Sequence, residues 1–193
     1  MFLVFDTETT GLPLDYNAPM TKVDNWPRVI QLAWALYDDR NCLIDCRVDL
    51  IKPAGWRIPK EKFWIDNGFD QIESEKKGIP IRDALQPFIE RVERTKYLVA
   101  HNMSYDYPVL GAECIRENIK SSNKPIRICT KESSTEFCKL PGRYGYKWPT
   151  LSELHIKLFG RDFAGGHDAL IDVKACAKCF FELVDRKIIT EIV

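Results

Sequence analysis

Strand-like runs crowd the first 53 residues of the chain, and beyond Pro59 the apolar period becomes helical. FLVFD at 2–6, VIQLAWALYD at 29–38 and LIDCRVDLIKP at 43–53 read as three successive strands, with the turn-like DDRN between the last two. Tight connections predict antiparallel neighbours, because a parallel return needs a crossover of a dozen or more residues. From Pro59 come EKFWIDNGF, DQIESEKK and IRDALQPFIERVERT, the last with an apolar stripe at Ile81, Ala84, Leu85, Phe88, Ile89 and Val92. YLVAHN at 97–102 is then a buried strand, followed by a helix from near Ser104 to about Ile119 and a fifth strand, IRICT at 126–130, reached by a crossover. TLSELHIKLF and HDALIDVKACAKCFFELVDR read as the last helices. The expected fold is α/β: a mixed five-stranded sheet, three antiparallel strands and then βαβ, flanked by helices. With no repeat or linker, residues 1–193 are expected to form a single domain, with loops at 13–27 and 131–149 long enough to carry function.

Composition narrows the setting more than the chemistry. No apolar run approaches the ~20 residues of a membrane-spanning helix, and Met1 leads straight into FLVFDTETTGL, so a cytoplasmic protein with no membrane partner is expected. Seven cysteines, an odd number in a chain able to build its own core, are read as reduced thiols. Lys plus Arg equals Asp plus Glu at 28 each, and this balance neither supports nor excludes a nucleic-acid partner.

The acidic residues stand in three places. Asp6 and Glu8, two apart at the end of a strand, project from one face with their charges roughly 6–7 Å apart. A divalent cation would relieve their repulsion; two solvated carboxylates at a strand end is the blander alternative. Asp106 falls in the first turn of the helix after AHN, where a carboxylate can serve the helix N-terminus, a metal ion, or both, and Pro108 suits a position without an intrahelical N–H partner. His101 and Asn102 support that turn or contact substrate. In GGHDALID, His167 and Asp172 would lie about 140° apart if both were helical, at ~3.6 residues per turn, so His167 belongs to a loop. Asp168 is then the N-cap, and Asp172 rides on the first turns of a helix with Val173, Cys176, Phe180 and Leu183 on its apolar positions.

FDTETTGL, HNMSYD and HDALID, in this order and in these strand and helix contexts, resemble the three motifs of the DEDD exonucleases in their histidine-bearing (DEDDh) subgroup, which includes the proofreading subunit of bacterial DNA polymerase III, RNase T and oligoribonuclease. The resemblance spans residues 2 to about 183 and implies a ribonuclease H-like fold. It implies a 3′→5′ exonuclease in which Asp6, Glu8, Asp106 and Asp172 hold two Mg²⁺ or Mn²⁺ ions and His167 is the general base. It also implies that Thr7, Thr9 and Leu12, with His101 and Asn102, border the terminal nucleotide. The partners implied are single-stranded 3′ ends of DNA, with RNA as the alternative and association with a polymerase as a further expectation; a non-catalytic nucleic-acid-binding module is the reading from another class. Oxygen-only ligands suit hard cations, and a histidine with an ordinary pKa near ~6.5 suits proton abstraction at neutral pH.

Some features depart from that pattern or compete with it. Where family members often carry a His-Gly-Ile-like turn, this chain has Asn67-Gly68-Phe69. Tyr16 and Trp26 in the 13–27 loop either reach a base or tuck back onto the core. KLPGRYGYKWP at 139–149 interleaves basic and aromatic residues, fit either to stack bases or to clasp the core. Cys176 and Cys179 form a C-x-x-C without a second pair at metal-ligand spacing, and are expected to be core thiols.

Overall fold

The computed structural model describes residues 1–164 and 168–192. Its main sheet contains β1 (Phe2–Thr9), β2 (Val29–Tyr37), β3 (Leu43–Leu50), β4 (Tyr97–Ala100) and β5 (Ile126–Cys129), in the spatial order β3-β2-β1-β4-β5. The pairs β1–β2 and β2–β3 are antiparallel and β4–β5 is parallel, as the order of apolar periods predicts, and β1 also pairs with β4 in parallel, which joins the two halves of the sheet. The DDRN turn closes locally: Asp38 Oδ1 accepts from the backbone N–H groups of Arg40 and Cys42, and Asn41 takes a φ of 62°.

The helices are α1 (Lys62–Asp66), α2 (Gln71–Lys77), α3 (Ile81–Val92), α4 (Met103–Arg116), α5 (Thr130–Ser133), α6 (Thr135–Cys138), α7 (Leu151–Phe159) and α8 (Ala169–Asp185). On one side of the sheet Leu3, Phe5, Leu32 and Trp34 pack with Leu85 and Phe88 of α3 and Val109 and Leu110 of α4. On the other, Phe2, Val4, Ala33 and Val99 pack with Leu154 of α7 and Val173, Cys176, Phe180 and Leu183 of α8. β1 is therefore covered on both faces, and FLVF is a continuous apolar run rather than an alternating one. Each large side chain buried there contributes about 1.5–3 kcal/mol.

Two expectations change. Segment 131–149 is not a loop: it contains most of α5, all of α6 and a hairpin of β6 (Pro141–Gly142) with β7 (Gly145–Tyr146). Its single-turn helices are tied by Ser134 Oγ and Thr135 Oγ1 donating to the carbonyls of Thr130 and Lys131, contacts that leave no apolar period to read. α4 begins at Met103, so Pro108 lies beyond the four free N–H groups of the helix start and removes one internal bond. The seven cysteines are free thiols, with Cys176 and Cys179 buried on α8. No helix among the described residues is long and apolar enough to cross a membrane.

Candidate active site

The two faces of β1 carry different duties. Phe2 and Val4 face α8, and Asp6 and Glu8 continue that alternation to the strand end. α8 is fixed over them in two ways: Asp168 is its N-cap, accepting from the N–H groups of Leu170 (3.0 Å) and Ile171 (3.3 Å), and Gln31 Oε1 accepts from Ala169 N at 3.0 Å. Gln31 is the register partner of Glu8, so the start of α8 is pinned directly beside the strand end that carries the acids. One carboxylate oxygen from each of Asp6, Glu8 and Asp172 then lies within 4.8 Å of the others.

Asp106 arrives from the α4 side. It is buried in the first turn of α4 and accepts a 2.7 Å hydrogen bond from Thr7 Oγ1, on the face of β1 opposite Asp6 and Glu8. The parallel pairing of β1 with β4 brings these strand ends together, so Asp106 sits close enough to raise the pKa of both Asp6 and Glu8. Further along α4 the buried Glu113 accepts from Arg28 Nε (2.8 Å) and Val29 N (3.1 Å) and pairs with Arg116 (3.2 Å), tying the helix to the start of β2.

Such crowding disfavours ionisation. Burial, then the charges of Asp106, Glu8 and Asp172, hold the Asp6 carboxyl well above the usual carboxylate range. Glu8 is pushed up to about 8, by burial first and then by Asp172, Asp106 and Asp168. Asp106 is raised by burial, against the lowering effect of its Thr7 hydrogen bond. Among the described residues no lysine or arginine forms an ion pair with Asp6, Glu8 or Asp106. An all-oxygen donor set of like charge, eased at Asp106 by the charge of Lys131, fits hard divalent cations.

Beside Glu8 opens a cavity of about 320 Å³ lined by Thr7, Thr9, Gly11, Leu12, Tyr16, Phe63, Trp64, Asn102 and Tyr105. Its wall is preset: Trp64 Nε1 donates to the Thr9 carbonyl at 2.9 Å, Tyr105 Oη donates to the Gly11 carbonyl at 2.6 Å, and the hydroxyls of Thr9 and Tyr105 bond each other. Gly11 has φ +149°, a conformation that L side chains rarely adopt. Thr7, Thr9, Leu12 and Asn102 thus meet at one cavity, and His101 does not join them. Its Nδ1 lies 2.9 Å from Thr130 Oγ1 and its Nε2 3.1 Å from the Pro149 carbonyl, and burial lowers its pKa to about 4, so a neutral ring ties β4 to α5 and the segment before α7. His167 lies outside the described residues. Trp26 is buried with its Nε1 directed at the Pro19 carbonyl, whereas Tyr16 reaches the cavity. Phe69 of the Asn67-Gly68-Phe69 turn packs into the core with Ile30 and Ile58. Phe63, Trp64, Gln31 and Lys131 carry no motif in the sequence, and only Tyr105, next to Asp106 in HNMSYD, lies within a recognisable one.

No protein-family model matches the sequence, and no curated protein matches it either. Solved structures do. Escherichia coli exonuclease I in complex with a dT13 oligonucleotide aligns at TM-score 0.73 and 19% identity, covering 95% of this chain and 40% of that one. The nuclease domain of 3′hExo, a DEDDh family member, bound to rAMP, aligns at TM-score 0.67 and 18% identity, covering 96% of this chain and 92% of that one. The fold is ribonuclease H-like. The chain spans about two fifths of the exonuclease I chains, and the zinc-bound complex of E. coli exonuclease I with single-stranded DNA aligns over a similar share, at TM-score 0.69 and 21% identity. At these identities the likeness is one of fold.

Proposed function

We propose that this protein is a metal-dependent 3′→5′ exonuclease that hydrolyses phosphodiester bonds at the 3′ end of single-stranded DNA. The observation that carries the reading is the convergence of Asp6, Glu8 and Asp172 within 4.8 Å, with Glu8 also lining a cavity that has an aromatic wall. Asp6, Glu8, Asp106 and Asp172 would hold two Mg²⁺ or Mn²⁺ ions, which when bound supply charge neutralisation at the phosphate and a water of lowered pKa. Phe63, Trp64 and Tyr105 offer flat apolar surface to the terminal base, and Leu12 covers it. Thr7 holds the Asp106 carboxylate in place, and Gln31 and Asp168 hold the helix that presents Asp172. His167, next to the cap residue Asp168, is the proton acceptor in this proposal.

RNA is the second reading, favoured by the rAMP bound to the 3′hExo nuclease domain, which matches this chain over nearly its whole length. A time course with Mg²⁺ or Mn²⁺ on 5′-labelled DNA and RNA of several lengths tests both. Stepwise shortening from the 3′ end, abolished by Asp6→Asn, is expected; absence of metal-dependent shortening on every substrate refutes the proposal.

A further inference from the structure

We propose that the β6–β7 hairpin, with Lys131 against Trp148, is a platform for the single strand on the 5′ side of the terminal nucleotide, an inference that rests on the exonuclease reading above. Residues 139–148 carry three cations, Lys139, Arg143 and Lys147, and three large rings, Tyr144, Tyr146 and Trp148. The hairpin does not fold its rings onto the core: Tyr144 is 89% exposed, Trp148 60% and Tyr146 48%. Flat rings among cations, left in water, suit successive bases and phosphates.

Placement decides the occupant. Asn102 lines the nucleotide cavity, and Lys131 Nζ donates to Asn102 Oδ1. The same Nζ lies 4.5 Å from the centroid of the Trp148 ring. Cavity rim, cation and exposed indole are therefore consecutive, and a strand leaving the cavity meets a charge for its phosphate and then a ring for its base. The platform is anchored from below, where His101 Nε2 donates to the carbonyl of Pro149 and Lys147 pairs with Glu153 at 2.5 Å. The hairpin ladder continues with Lys147 N donating to the Leu140 carbonyl, so the side chains of Tyr146 and Lys147 leave opposite sides. Lys139 and Arg143 form no ion pair among the described residues and remain available to phosphates. An acidic peptide would use the cations but has no need of three rings.

The test compares the full chain with the double variant Tyr146→Ala/Trp148→Ala, whose exposed positions should leave the fold intact, with circular dichroism as the check. kcat/KM is measured on 5′-labelled dT12 and on the dinucleotide dT2, and dT12 binding is followed by anisotropy with Ca²⁺ in place of Mg²⁺. The dT12 to dT2 ratio of kcat/KM is expected to fall at least about tenfold, two stacked bases being lost. The proposal is overturned if the ratio holds, if the unsubstituted protein shows no advantage for dT12, or if polyglutamate displaces dT12 as well as poly(dT) does. Ring-dependent dT12 binding without cleavage would support the platform and refute the exonuclease reading.

Discussion

Metal-free protein should lose stability as pH rises from 5 to 8, the reverse of what carboxylates usually contribute. An ordinary glutamate titrates at 4.5 and Glu8 in the fold at about 8, so between these values the folded state binds more protons than the unfolded chain. Stability therefore falls as pH rises through this window. At pH 7, 2.5 pH units above 4.5, the opposition to folding from this one group is about 3 kcal/mol at 1.36 kcal/mol per unit. Glu8 is only half-buried and water at the rim screens part of that, while Asp6 and Asp106, raised in the same direction, add to it. For a 193-residue chain, at ~2–4 °C per kcal/mol, the melting temperature in EDTA should be about 5–10 °C lower at pH 7 than at pH 5. Mn²⁺ should reverse the loss, because an ion bound only by the native cluster stabilises it and displaces the protons. Glu8→Gln should melt higher than the unsubstituted protein at pH 7 without metal, should match it near pH 4.5, and should gain little from Mn²⁺. A melting temperature in EDTA that stays level or rises from pH 5 to 8, or a Gln variant with an unaltered pH profile, refutes the reasoning.

Three further perturbations probe the scaffold beneath the carboxylates. Glu113→Ala strands Arg28, Arg116 and the Val29 N–H around a buried position and should cost about 3–5 kcal/mol, read from the urea midpoint. Thr7→Val keeps the shape but removes the 2.7 Å bond to Asp106; about 1–3 kcal/mol should be lost and the Mn²⁺ dissociation constant, by calorimetry, should rise. Asp168→Ala removes the cap of α8 at a cost of about 1 kcal/mol in thermal melting. Because α8 presents Asp172, kcat should fall by more than the stability loss explains.

What could be read in advance follows from the range of the interactions. Three antiparallel strands and a later βαβ unit were legible because FLVFD, VIQLAWALY and YLVA are apolar runs, and the placement of Asp6, Glu8 and Asp106 follows from strand alternation and a helix start, both local rules. The cavity wall was not legible. Phe63 and Trp64 sit on a five-residue helix too short to show a period, and Trp64 reaches the Thr9 carbonyl across 55 residues. His101 adjoins a motif and looks chemical for that reason, yet its ring is claimed by Thr130 and Pro149, 29 and 48 residues downstream. The same division explains how the site tolerates its own repulsion. The carboxylates oppose one another at the strand end, while Gln31, Thr7 and Glu113, none of them in the converging acidic cluster, pin α8 and α4 in place through long-range bonds. Two helices clamped over one strand end hold like charges together against a local electrostatic rule, and the EDTA and Mn²⁺ melting profiles measure that strain and how much of it a bound ion removes.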